Sequence, residues 1–264
     1  MPFIDWRSTN LKFFFRTGIA AMALLLFMFR NANKINKKHH RVRLKSKGGF
    51  RPFRLFFIAD IHRKKLPEDF ITAPVDAIII GGDLTERGVP MRRTAHNLRI
   101  LTNAAPVFFI WGNNDREVGE RKLRMLLDYF NIKVMDNESV ELFGQHNLKL
   151  VGIDYFNEAE DKLEKAFSRV EPEDTVIFVS HTPSAFKLLR GEEHADLLMA
   201  GHTHGGQIRI GNLGFYRKGS MKKLGSGYEL VTNGYGTTTL PLRLGAEAQY
   251  HVLDITPGLN RGLQ

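Results

Sequence analysis

Residues 55–62 read LFFIADIH, five apolar or small residues that run directly into Asp60 and His62. A run this short and unbroken reads as a strand buried on both faces. The same phrase recurs along the chain. Ala77–Ile80 ends at Gly81-Gly82-Asp83, Val107–Trp111 at Gly112-Asn113-Asn114-Asp115, Val176–Val179 at Ser180-His181, and Leu197–Ala200 at Gly201-His202-Thr203-His204. Leu148–Val151 is a further run of this kind, and Glu120–Tyr129 and Glu158–Phe167 carry helix-like polar spacing between the runs. The pattern predicts an α/β protein. Sheets of this kind gather ligands beyond the carboxyl ends of their strands, so the polar residues that close these runs are expected to converge.

Taken singly, an aspartate after a strand is ordinarily a helix N-cap or turn residue, and a histidine is ordinarily a surface or core group. Convergence is what gives these residues weight. The two-residue spacing of His202 and His204 lets both imidazoles enter one crevice from a tight turn, and Gly201, Gly205 and Gly206 leave room for it and permit positive φ. His39, His40, His96, His146, His194 and His251 have no such setting.

The chain has 264 residues, 43% hydrophobic and 25% charged, which suits one main folded domain. It has no cysteine, so any metal must be held by imidazole, carboxylate and amide donors. The net charge of +10 is unevenly distributed. Residues 1–50 hold 11 Lys or Arg against one acid, while residues 51–264 hold 27 of each. A duplex-binding domain needs a basic face of its own, so no nucleic-acid partner is expected.

The leader is hydrophobic. Residues 11–29 read LKFFFRTGIAAMALLLFMF, and the run from Gly18 to Phe29 spans a bilayer if Phe13 to Phe15 are included and Arg16 snorkels. Arg30, Asn31, Ala32, Asn33 and Lys34 follow and form no small-x-small cleavage site, so a retained anchor is expected. Arg7, Lys12 and Arg16 precede the run; Arg30, Lys34, Lys37, Lys38, Arg41, Arg43, Lys45 and Lys47 follow it. The heavier flank stays inside. The expectation is a single N-terminal anchor in the cell membrane at residues 11–29, a basic stretch 30–47 on anionic headgroups, and a cytoplasmic catalytic domain. Residues 1–49 are thus read as anchor and polybasic linker ending at Gly48-Gly49, and residues 50–264 as the domain.

The ordered blocks DIH (60–62), GGD (81–83), GNND (112–115), SH (180–181) and GHTH (201–204) resemble the signature of calcineurin-like metallophosphoesterases, DxH, GD, GNH[DE], H and GHxH. The later segments, Gly205-Gly206-Gln207 and NGYGTTTLPLRLGAEAQYHVLDI from Asn233, are similar to a bacterial membrane-associated branch of that family. The resemblance implies a four-layer α/β/β/α sandwich behind the N-terminal membrane-anchor helix. It implies two divalent metal ions, with Asp60, His62 and His204 on one, Asn113, His181 and His202 on the other, and Asp83 bridging. Mixed carboxylate, imidazole and amide donors suit Mn, Fe or Zn. Such a centre would act as a phosphodiesterase or pyrophosphatase on a phosphate-ester substrate, and tethering would bring lipid-linked phosphates to it at high effective concentration.

The sequence departs from the signature at Asn114, where the family carries a histidine assigned to protonating the leaving oxygen. An amide donates hydrogen bonds but does not titrate, which implies a preference for good leaving groups such as a pyrophosphate or activated diester. Asn114 and the retained Asp115 are the catalytic candidates beside the metals. The rival expectation is a non-catalytic, metal-binding scaffold with a degenerate site. Phe215, Tyr216, Met221 and Leu224, interleaved with Lys218, Lys222 and Lys223, read either as an ordinary packed loop or as a flap facing membrane or substrate.

Overall fold

A computed structural model describes residues 6–155, 160–189, 194–225 and 227–259. In chain order the elements are α1 (Trp6–Asn33), β1 (Asn36–Ser46), β2 (Phe53–Ile58), β3 (Ala77–Ile80), α2 (Met91–Thr102), β4 (Val107–Phe109), α3 (Asn113–Glu117), α4 (Glu120–Tyr129), β5 (Lys133–Val134), β6 (Glu138–Leu142), β7 (Gln145–Ile153), α5 (Glu160–Phe167), β8 (Thr175–Ser180), β9 (Leu197–Ala200), β10 (Ser220–Leu224), β11 (Gly227–Val231) and β12 (Gln249–Leu259). Each run read as a strand lies in or overlaps one. Both helix-like stretches are helices, although residues 158 and 159 lie outside the described ones.

The strands form two six-stranded sheets, ordered β1-β12-β2-β3-β4-β5 and β10-β11-β9-β8-β7-β6. Alternation within each strand explains the layering. Leu55, Phe57, Ala77 and Ile79 of the first sheet face Leu150, Ile177, Val179, Leu197 and Met199 of the second. The intervening Phe56, Ile58, Ile78 and Ile80 turn outward onto Leu98 and Leu101 of α2 and Leu123 and Leu127 of α4. On the far side Val176 and Phe178 pack on Leu163 and Ala166 of α5. The result is the expected α/β/β/α sandwich, and burial on both faces is why its central strands read as unbroken apolar runs.

The structure differs from the expected boundary after residue 49. Asn36–Ser46, read as linker, is the edge strand β1, paired in parallel with β12 from Asn36–Gln249 to Ser46–Leu259. Val42, Leu44 and Ser46 point inward while Lys37, Lys38, Arg41, Arg43 and Lys45 stay exposed. With so few apolar residues among so many cations the period of two is hard to see. The same cations guard the sheet edge against pairing with another chain.

Helix α1 has 28 residues, and its stretch Leu11–Asn33 is apolar and long enough to cross a bilayer. Phe13, Phe14, Phe15, Leu24, Leu25 and Phe27 are all exposed, whereas Met28 and Ala32 are buried where the helix meets the body. There the Arg243 amide donates to the Met28 carbonyl at 3.1 Å, and the Lys64 ammonium donates to the Ala32 carbonyl.

Candidate active site

The carboxyl ends of β2, β3, β8 and β9 and the turn after β4 bring the expected residues together. Asp60, His62 and His204 offer ligand atoms within 4.8 Å of one another, and so do Asp83, His181 and His202. In the first group Nε2 of His62 and His204 stand 3.1 Å apart, with Asp60 Oδ1 3.7 Å from His204 Nε2. In the second, His202 Nδ1 is 3.1 Å from His181 Nε2. Asp83 joins them, because its Oδ2 lies 3.3 Å from His181 Nε2 and 3.7 Å from His62 Nε2.

The donors fit divalent cations. Asn113 Oδ1 is buried without a hydrogen-bond partner, an orphaned acceptor of the kind a metal would satisfy. His181 Nδ1 lies 2.9 Å from the Gly81 carbonyl, to which it donates, and this leaves the Nε2 lone pair free to ligate. Electrostatics agree. Burial pushes Asp60 up to about 6, with Asp83 adding to the rise. Burial alone would lower His181, but Asp83 and Asp60 outweigh it and lift the imidazole to about 9. Burial would raise Asp83, yet His181 and His62 hold it well below the usual carboxylate range. The same carboxylates that favour positive charge on His181 would favour a bound cation in its place. His204 is held well below its ordinary value by burial and then by His62 and Arg243, so it is neutral and able to ligate.

The backbone beneath these side chains is strained. Asp60, His62, Asp83, His202 and His204 all have φ between 49° and 69°, in the left-handed region. Each such residue costs roughly 1–3 kcal/mol and persists only when its surroundings over-determine it. Here Asp60 N donates to Gly82 O at 2.9 Å, His62 N to Asp83 O at 3.1 Å, and His202 N to Asp60 Oδ1 at 3.0 Å. Close packing contributes as well: a Cβ on Gly112 would stand 2.2 Å from Asp83 Oδ1, and one on Gly82 2.4 Å from His181 Nδ1. Of the glycines flanking the paired histidines, Gly205 and Gly206 have positive φ, while Gly201 leaves space against Asp60.

Asn114 lines the cavity and grips Asp83 twice, its backbone N–H donating to Oδ1 at 2.9 Å and its side-chain Nδ2 to Oδ2 at 2.8 Å. Asp115 is fully buried, its carboxylate accepting from the Gly112 amide at 3.0 Å and the Thr85 amide at 3.1 Å. It ties the metal-site turn to the loop after β3 and is not among the residues lining the cavity. That cavity, of about 620 Å³, is lined by the polar Asp83, Asn113, Asn114 and His202 together with the apolar Ile208, Phe215 and Leu240.

Two participants escaped the sequence reading. Glu86 Oε2 lies 2.9 Å from His62 Nδ1, an ion-pair distance with the ring nitrogen off the ideal hydrogen-bond line, and Glu86 is also paired to Arg63. Carboxylates behind metal-ligating histidines fix ring orientation and tautomer. Glu86→Gln is therefore expected to weaken metal affinity roughly 10- to 100-fold, measurable by calorimetric titration with Mn²⁺. Unchanged affinity would deny Glu86 that role. Arg243 is the second, a guanidinium with no exposure that donates to the carbonyls of Gly236 at 2.6 Å, Asn233 at 2.7 Å and Ala246 at 2.8 Å, and stands 3.3 Å from His204 Nδ1. Neither lies in a signature block; only the spacing of Glu86 three residues after Asp83 hinted at its nearness.

The sequence profile of the calcineurin-like phosphoesterases matches residues 53–206, so the chain belongs to that family and is a metal-dependent phosphoesterase by class. It is 35% identical over 244 residues to YpbG, an uncharacterized protein of Bacillus subtilis, covering 90% of this chain and 94% of that one. It is 28% identical over 225 residues to an uncharacterized metallophosphoesterase of Helicobacter pylori, covering 77% of this chain and 60% of the relative. To the phosphodiesterase YaeI of Escherichia coli it is 29% identical over 174 residues, covering 60% and 63%.

Proposed function

We propose that this protein is a dinuclear-metal phosphoesterase that hydrolyses a phosphodiester or pyrophosphate bond at the cytoplasmic face of the membrane. The observation that carries the reading is the position of Asp83 Oδ2 between two sets of donors on the floor of an open cavity. Asp60, His62 and His204 would hold one ion, Asn113, His181 and His202 the other, and Asp83 both. Two such ions supply Lewis-acid activation of water and neutralise charge on the phosphoryl group during in-line displacement. Asn114 keeps Asp83 in place through its paired hydrogen bonds and presents an amide to the cavity. Asp115 holds the turn that carries Asn113 and Asn114. The likeness to a protein named phosphodiesterase supports the diester reading.

The test is hydrolysis of bis(p-nitrophenyl) phosphate beside p-nitrophenyl phosphate by the full chain in detergent with Mn²⁺. Metal-dependent turnover that favours the diester is expected. No turnover in protein shown to bind two ions would instead favour the non-catalytic scaffold, in which Asn114 marks lost chemistry. Because an amide cannot protonate a departing oxygen, Asn114→His is expected to raise the rate on poor leaving groups such as alkyl esters by about 10²-fold, the lower end of general-acid contributions. No gain on those substrates would sink that assignment.

Membrane anchoring by α1 is part of the reading. Its exposed apolar surface needs a cover, and the eight cations at positions 30–47 against three before the run favour an inside body. A C-terminal reporter active only outside the cell would refute the orientation.

A further inference from the structure

The loop that runs between the cavity-lining Ile208 and Phe215 carries an apolar lip whose exposure nothing in the catalytic reading explains. Ile210, Leu213 and Phe215 are 74%, 77% and 97% exposed, and Leu240, which lines the same cavity as Phe215, is 54% exposed. The lip is rigidly built. Ile210 and Leu213 exchange both backbone hydrogen bonds at 3.0 Å around Gly211-Asn212, and the buried Arg209 donates to the carbonyls of Gly205, Gly211 and Tyr216. A loop stapled in this way holds its apolar side chains out, although they could gain burial by folding inward. Large apolar side chains held out from one short loop mark a contact with a partner or a membrane.

Two observations identify the partner. First, the lip is continuous with the end of α1. Gln207 joins it to the opposite wall, its side chain donating to the carbonyls of Thr238 at 3.0 Å and Leu240 at 3.1 Å and accepting from the Thr238 amide at 2.9 Å. That wall is in turn bonded to Met28 through the Arg243 amide. The apolar run of α1 stops at Phe29, one residue further on. Second, the segment carries one sign of charge. Between Gly205 and Tyr228 there is no acid, and Arg217, Lys218, Lys222 and Lys223, which follow Phe215 in the chain, are exposed. Apolar tips backed by cations match a leaflet of acyl chains beneath anionic headgroups.

We propose that the lip formed by Ile210, Leu213, Phe215 and Leu240 inserts into the anionic leaflet from which α1 emerges. The metal site then opens toward lipid, and its substrate class is a phosphate-ester lipid of that leaflet. The proposal rests on the membrane-anchored phosphoesterase reading. A phosphate would reach the donors around Asp83 while its acyl chain stays between Phe215 and Leu240.

The absence of native cysteine makes the test direct. Phe215→Cys and Leu240→Cys are labelled with an environment-sensitive nitrobenzoxadiazole dye in the full chain, reconstituted in phosphatidylglycerol/phosphatidylcholine vesicles that contain doxyl lipid. Leu25→Cys in α1 and Tyr129→Cys, 79% exposed on α4, serve as references. The expected result is quenching at 215 and 240 at least half that at 25, with none at 129. Quenching at 25 with sites 215 and 240 as bright as 129 would overturn the lip while leaving the anchor standing. No quenching at 25 would refute the anchor and the lip with it. Because the dye reports depth and not turnover, either failure is distinguishable from failure of the phosphoesterase assignment, which the diester assay reads separately.

Discussion

Asp83→Ala is expected to remove hydrolysis of bis(p-nitrophenyl) phosphate by about 10³-fold or more. Asp83 Oδ2 lies 3.3 Å from His181 and 3.7 Å from His62, within reach of donors from both sets, so on the dinuclear reading its charge would be shared between two cations. Transition-state stabilisation by a metal pair is worth several kcal/mol, and ~4 kcal/mol corresponds to about 10³ in rate. On the proposed dinuclear reading, metal content measured by mass spectrometry is expected to fall from two ions per chain to one or none. Loss of activity with both ions retained would mean that Asp83 acts otherwise than as a bridge. The neighbouring side chains should respond too. Asn114 would lose the acceptor for both of its hydrogen bonds, and His181 the carboxylate that does most to raise it toward 9.

The second large effect lies outside the signature blocks. Arg243→Leu is expected to destabilise the protein by roughly 3–5 kcal/mol, the range seen when one partner of a buried charged network is removed. The carbonyls of Gly236, Asn233 and Ala246 would be left buried without donors, each costing about 1–3 kcal/mol before relaxation. In a body of this size the melting temperature should fall by about 6–20 °C, at 2–4 °C per kcal/mol. Arg243→Lys should recover only part of that loss, because an ammonium cannot reach a fan of carbonyls that a planar guanidinium spans. Thermal denaturation of the two variants beside the native chain decides the matter. A shift below 2 °C for Arg243→Leu would show that the loop 236–246 holds itself.

Much of this protein was legible one stretch at a time. The strands β2, β3, β8 and β9 could be read because burial on both faces demands unbroken apolar runs, and the site residues could be read because each follows such a run. Strand β1 was hidden because its inward residues, Val42, Leu44 and Ser46, alternate with the cations that had suggested a linker. Strand β12 begins 45 residues after His204 closes the last ligand block, yet it pairs with both β1 and β2. Such non-local pairing leaves no local signature.

The sequence by itself determined the class of chemistry: which residues can ligate, that no thiolate is among them, and that a non-titrating amide stands at position 114. Those are properties of residue types and of their order along the chain. Only the tertiary structure decided that Asp83 lies between the two donor groups, that Asn114 is spent on holding it, and that Glu86 and Arg243 stand behind His62 and His204. It alone showed Phe215 and Leu240 lining one cavity with Asp83, Asn113 and His202, beside a segment bonded to the end of α1. The physical reason is range. Strand formation and ligand chemistry are written in neighbouring residues, whereas orientation, backbone strain and the shape of a rim come from contacts between segments as far apart in the chain as Met28 and Arg243, and these exist only once both sheets are packed.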